Sequence, residues 1–138
     1  MVEFAIALPF LMLLLLGGIE LGRYAYFGIL VGNAARAGVQ YGAQNGVTAL
    51  DVTGIQNAAR ADGNTSISSL TVTTSTSCQC WNGTTGTAIS CTGTCGVGSD
   101  FVAYVQATVS GTVTPLFHYP LLPSALIVAR TATMRVTP

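Results

Sequence analysis

The chain has 138 residues, room for one modest domain beside a long helix, because a single core is usually built from about 100–200 residues. Half of the residues are apolar, 7% are charged and the formal net charge is zero; lysine is absent, and the five cations are Arg23, Arg36, Arg60, Arg130 and Arg135. That balance excludes the basic surface that attracts nucleic acid, and weak self-repulsion favours association instead.

The first 44 residues organise the rest. From Phe4 to Ile19 there is no charge, and Leu11 to Leu16 reads LMLLLL. Each of these side chains gains about 1.5–3 kcal/mol on leaving water, so the segment needs a partner or a membrane. A secretory signal would carry a basic n-region and a small-residue cleavage site; here Glu3 precedes the run and Gly17-Gly18-Ile19-Glu20 follows it. A membrane span needs about 20 apolar residues. Glu20 arrives early for that, so a thin or tilted span puts Glu20 and Arg23 near the interface. The two stand at i,i+3 and can pair on one helix face. Pro9 lies inside the run, where it removes a backbone bond and kinks or locally melts a helix.

Gly18, Gly22, Ala25, Gly28, Gly32, Ala35, Gly38 and Gly42 recur at steps of three or four, close to the 3.5-residue period of a helix-packing seam. Several pairs are G-x-x-x-G, which lets helix backbones approach closely. Glycine costs a helix interior about 0.5–1 kcal/mol against alanine, so the stripe needs a compensating contact. The chain's own second half is one candidate partner. Neighbouring subunits are the expected one.

Beyond Gly42 the character changes. Gln44-Asn45-Gly46 reads as a turn, and Asp51 as the N-cap of a short helix with Val52, Ile55, Ala58 and Ala59 on one side, stopped by Gly63. From Ile67 onward threonine, serine, valine and glycine predominate, as strands prefer. Leu70 and Val72 open a strand with one polar face. Val105, Ala107, Val109, Gly111 and Val113 alternate with polar residues at a period of two, and a last strand runs through Leu126, Val128, Ala132 and Met134. The fold expected is α+β: a stem helix over residues 1–46, then a head over residues 47–138 with a short helix and a small antiparallel sheet that the stem covers on one side.

Cys78, Cys80, Cys91 and Cys95 fall in one window as C-x-C and C-x-x-x-C. Zinc ligands usually come in C-x-x-C pairs, and no histidine is near, so two disulfides are the better account. A nested pairing, Cys80 with Cys91 and Cys78 with Cys95, suits a hairpin tipped by Trp81-Asn82-Gly83-Thr84; the crossed pairing stays open. The sequence nominates no enzyme, metal or cofactor: His118 is the only histidine, and no carboxylate pair or nucleophile–base set stands out. The Asn64-Thr65-Ser66 and Asn82-Gly83-Thr84 sequons mark exposed loops at most.

Three stretches carry a resemblance. Val2 to Pro9 (VEFAIALP), Ile19 to Arg23 (IELGR) and Asn33 to Tyr41 (NAARAGVQY) resemble the N-terminal motif of TadE-like proteins, and the closing PLFHYP with ATMRV is similar to the end of that family. The family comprises pilin-like or pseudopilin subunits of bacterial tight-adherence systems, related in plan to type IV pilins. The resemblance implies that a prepilin peptidase removes a basic leader. The hydrophobic helix then holds the subunit in the inner membrane until an assembly machine moves it into a surface filament. It also implies that Glu3 compensates a neighbouring subunit's N-terminal amine. In type IV pilins that glutamate is usually the fifth mature residue, whereas here it is the third and no basic leader precedes it; either residues precede Met1 or processing differs. The expected subunit interface is Glu3, Phe4, Leu8, Leu11, Leu15, Gly18, Glu20, Gly22, Arg23, Gly28 and Gly32. The function expected is a structural subunit of an extracellular filament of identical chains; the alternative is a membrane-retained minor pseudopilin that helps assemble a different major pilin.

Overall fold

A computed structural model describes residues 2–63, 69–117 and 124–136, without the side chains of residues 2, 3 and 5. The charge-pair expectation at Glu3, the histidine at position 118 and the sequon at Asn64 therefore lie outside the described residues. Helix α1, Val2–Gly42, is 41 residues long and runs on through Pro9. At 1.5 Å per residue it extends about 60 Å, much longer than a small domain is wide. The proline costs one backbone bond and does not melt the helix.

The turn after α1 is built by Asn45. Its side-chain oxygen accepts the N–H groups of Val47 and Thr48, both at 2.9 Å, which turns the chain into the single 3-10 turn Thr48–Leu50. Asp51 then caps helix α2, Val52–Gly63, as its position predicts: Oδ1 accepts the Gly54 N–H at 2.9 Å. Its other oxygen accepts the Tyr41 hydroxyl at 2.9 Å, so the cap of α2 is also a tie back to the stem. The Gly54 N–H and the Tyr41 hydroxyl together hold the Asp51 carboxyl below its usual range. A lowered folded-state value adds stability that is present above the ordinary carboxylate pKa of about 4 and is lost as pH falls through the folded value. The melting temperature of the detergent-solubilised chain should therefore fall on acidification below about pH 4, and Asp51→Asn should flatten that limb. Identical acid limbs in the two proteins would contradict this role.

The four strands are β1 (Leu70–Trp81), β2 (Gly86–Ile89), β3 (Asp100–Val113) and β4 (Leu126–Arg135), in the antiparallel order β2-β1-β3-β4. The alternation in β3 is obeyed: Val105, Ala107, Val109, Gly111 and Val113 are buried, while on β1 Thr71, Thr73, Ser75 and Ser77 face solvent. The buried face lies against the second half of α1 and against α2, as the amphipathic pattern requires. One cluster joins Val31, Ala34 and Ala35 of α1 to Ala59, Val72 and Val109; another joins Val39 to Ala49, Ile55, Val105, Ala107 and Val136. The stem's second half is thus part of the head's own core.

One expectation needs correction. Cys78 and Cys80 lie on β1, and the short strand β2 pairs beside them, Cys78 opposite Ile89 and Cys80 opposite Thr87. The disulfides are crossed rather than nested, Cys78 with Cys91 and Cys80 with Cys95. The cause is the turn after β2, closed by the Gly93 N–H on the Ser90 carbonyl at 2.8 Å. It reverses the chain, so that 91 to 95 advances in the same sense as 78 to 80. The Asn82 turn supplies the first reversal: its side-chain oxygen accepts from Thr84 and Thr85, and Gly83 takes φ +92°, a conformation that favours glycine. Peptide mapping should recover these two pairs. Removing Cys78–Cys91 by double serine substitution should cost the head roughly 2–5 kcal/mol, read as a lower melting temperature; an unchanged melt would show that the loop contributes nothing.

Candidate interaction surface of the stem

The first half of α1 projects beyond the head. Phe4, Leu11 and Leu15 are more than half exposed and Leu8 nearly so. Among the described residues, a Cβ added at Gly17, Gly18 or Gly22 would meet nothing within 4 Å. Ile6–Gly42 is long and apolar enough to cross a membrane, the one such segment among the described residues. An isolated chain in water leaves this surface with no partner, which is the condition an anchor or an assembly interface answers.

The small-residue seam divides into two parts. Ala35 is wholly buried in the head's core; a Cβ at Gly38 would lie 3.2 Å from that of Ala59, and one at Gly42 would lie 2.9 Å from Val105 Cγ1. This part of the seam packs on the chain's own second half and corrects the expectation that the whole stripe faces neighbours. The reason is that α2 and β3 also present small or β-branched residues, which meet the stem backbone closely. Gly28 and Gly32 are intermediate: the side chain of Arg130 on β4 lies over both, its Nη2 3.5 Å from a Cβ at Gly28 and its Cγ 3.9 Å from one at Gly32. Together they floor a groove of about 470 Å³ that Arg36, Asn33 and Thr131 also line.

Glu20 and Arg23 do pair, Nη1 to Oε2 at 3.3 Å, and the Arg23 guanidinium lies 5.9 Å from the centre of the Phe27 ring. What the sequence did not disclose is the second partner. Glu20 is only 7% exposed, and its Oε1 accepts the backbone N–H of Leu116 at 3.1 Å, a bond between residues 96 apart. Glu20 is therefore a link between stem and head as well as half of an ion pair. Nothing local signals such a bond, because the donor is a main-chain group. Among the described residues no group of three or more His, Cys, Asp or Glu is placed to hold a metal ion.

The uncharged projecting run and the Glu20–Arg23 pair occupy the segment that a known family model covers. Residues 1–40 match the family model of TadE-like proteins. No curated protein and no solved structure matches the chain. The matched TadE-like segment covers most of α1, including Phe4, Leu8, Leu11, Leu15, Gly18, Glu20, Gly22, Arg23, Gly28 and Gly32. The head, from the Asn45 turn to β4, lies outside the match, so its architecture rests on the pattern and packing described above.

Proposed function

We propose that the chain is a structural subunit of a bacterial pilus-like filament, polymerising through its stems. The observation that carries this is a TadE-like segment whose run from Phe4 to Ile19 is apolar and largely exposed, with open space at Gly17, Gly18 and Gly22 among the described residues. In this reading the run from Phe4 to Ile19, within the stem of residues 1–46, serves twice. It holds the subunit in the inner membrane first, and the same surface then becomes the dry interior of an extracellular polymer. The side chains of Leu8, Leu11 and Leu15 exchange lipid for neighbouring stems, and Gly18 and Gly22 let those stems approach closely. Residues 47–138 form the head, which faces solvent and is stapled by its two disulfides. A prepilin peptidase and an assembly machine are the partners this route requires, and Glu3 would meet a neighbour's N-terminal amine at the new interface.

Abundance separates this from a membrane-retained minor pseudopilin that assists a different major pilin. Filaments sheared from cells and resolved on a denaturing gel should consist mainly of this chain. Its presence only in traces would overturn the major-subunit reading and favour the minor one.

A further inference from the structure

The uncharged run of the stem ends at Ile19, and the next residue, Glu20, accepts the Leu116 N–H. Strand β3 ends at Val113, so within three residues the chain leaves the sheet and meets the stem at the edge of its apolar segment. There Leu116 is 58% and Phe117 44% exposed. On the stem, the residues on either side of Glu20, Ile19 and Leu21, are exposed too. The Glu20 carboxylate accepts from both Arg23 and Leu116.

We propose that Leu116 and Phe117 form a second membrane-contacting element, inserted in the interfacial layer of the bilayer beside the stem and held there by Glu20. The inference rests on the reading of the stem as a membrane anchor. If the stem crosses the hydrocarbon up to about Glu20, the residues bonded to Glu20 stand in the headgroup region, a layer about 5–8 Å deep on each side. Apolar and aromatic side chains at that depth keep their bodies out of water, and Leu116 and Phe117 are exposed where such a layer would meet them. The occupant is the lipid surface because Leu116 is bonded to the residue at which the uncharged run of the spanning helix ends. The head then sits on the membrane by two contacts, and its tilt against the stem is fixed before assembly.

Tryptophan fluorescence of the full chain in phosphatidylcholine vesicles tests this, in a Trp81→Phe background that removes the native tryptophan. Phe117→Trp should give blue-shifted emission, quenched several-fold more by nitroxide placed near the headgroup than by nitroxide at the acyl-chain end. Leu13→Trp should show the opposite preference. Glu20→Ala should shift the Phe117→Trp emission toward that of tryptophan in water without changing Leu13→Trp, whereas Glu20→Gln, which keeps the acceptor oxygen, should leave both unchanged. Water-like, unquenched Phe117→Trp beside a deeply quenched Leu13→Trp would overturn the inference and leave the anchor standing. An unquenched Leu13→Trp would overturn both. Intact disulfides and far-UV circular dichroism in each variant keep the comparison on a folded head.

Discussion

Gly22→Leu is expected to reduce filaments to trace amounts while leaving the melting temperature of the head unchanged. Among the described residues nothing lies within 4 Å of a Cβ at this position, so leucine meets no obstacle from them. In the monomer the substitution should even favour the helix, because glycine costs an interior position up to about 1 kcal/mol relative to good helix formers. In the proposed polymer the same side chain stands where a neighbouring backbone must approach, and four added carbons hold the stems apart. The measurement is the yield of sheared filaments alongside thermal melting of the solubilised chain. Wild-type yield would refute close helix approach at Gly22. Gly22 is a cleaner probe than Gly28 or Gly32, where Arg130 already occupies the space and leucine would have to displace it.

Gly42→Leu should have the opposite phenotype, a destabilised head. A Cβ there would lie 2.9 Å from Val105 Cγ1 and 3.0 Å from Ile55 Cδ1, and both neighbours belong to the buried cluster between stem, α2 and β3. Ile55 and Val105 are essentially inaccessible, so neither can swing into solvent to make room. Overpacking of this kind costs about 1–3 kcal/mol, against a gain of at most about 1 kcal/mol from helix propensity. The net loss should lower the melting temperature by several degrees and reduce the amount of folded subunit available for assembly. An unchanged or raised melting temperature would show that the stem–sheet contact is looser than these distances imply.

The contrast between two glycines of one stripe also marks where sequence reading ended. Their spacing announces a close-packed seam but not its partner, because a small residue is equally suited to a neighbour's backbone and to the chain's own α2. The partner at Gly42 is decided by Ile55 and Val105, more than ten residues away in sequence, and that pairing has no local signal. Where a pattern is local it was legible. The period-two run in β3, the Asp51 cap and the Asn45 turn each follow from side-chain chemistry within a few residues, and all three are present. The strand β2 was missed because Gly86-Thr87-Ala88-Ile89 is too short to display a period; its pairing depends on β1 beside it. The crossed disulfides were missed for the same reason, since the choice between the two pairings is made by the turn at Ser90–Gly93 and by register against β1. At the stem surface, the i,i+3 pairing of Glu20 with Arg23 could be read from spacing, whereas the Leu116 N–H on Glu20 is a main-chain donor delivered by the sheet. Arg130 over Gly28 and Gly32 is likewise a consequence of where β4 lies.

Electron cryomicroscopy of filaments purified from cells producing this chain tests the central claim most directly. The account predicts a core of stems from this chain, packed on one another through the segment from Phe4 to Gly22, with the disulfide-stapled sheets on the outside. A filament core built from a different polypeptide, or stems of this chain that make no contact with one another, would contradict it.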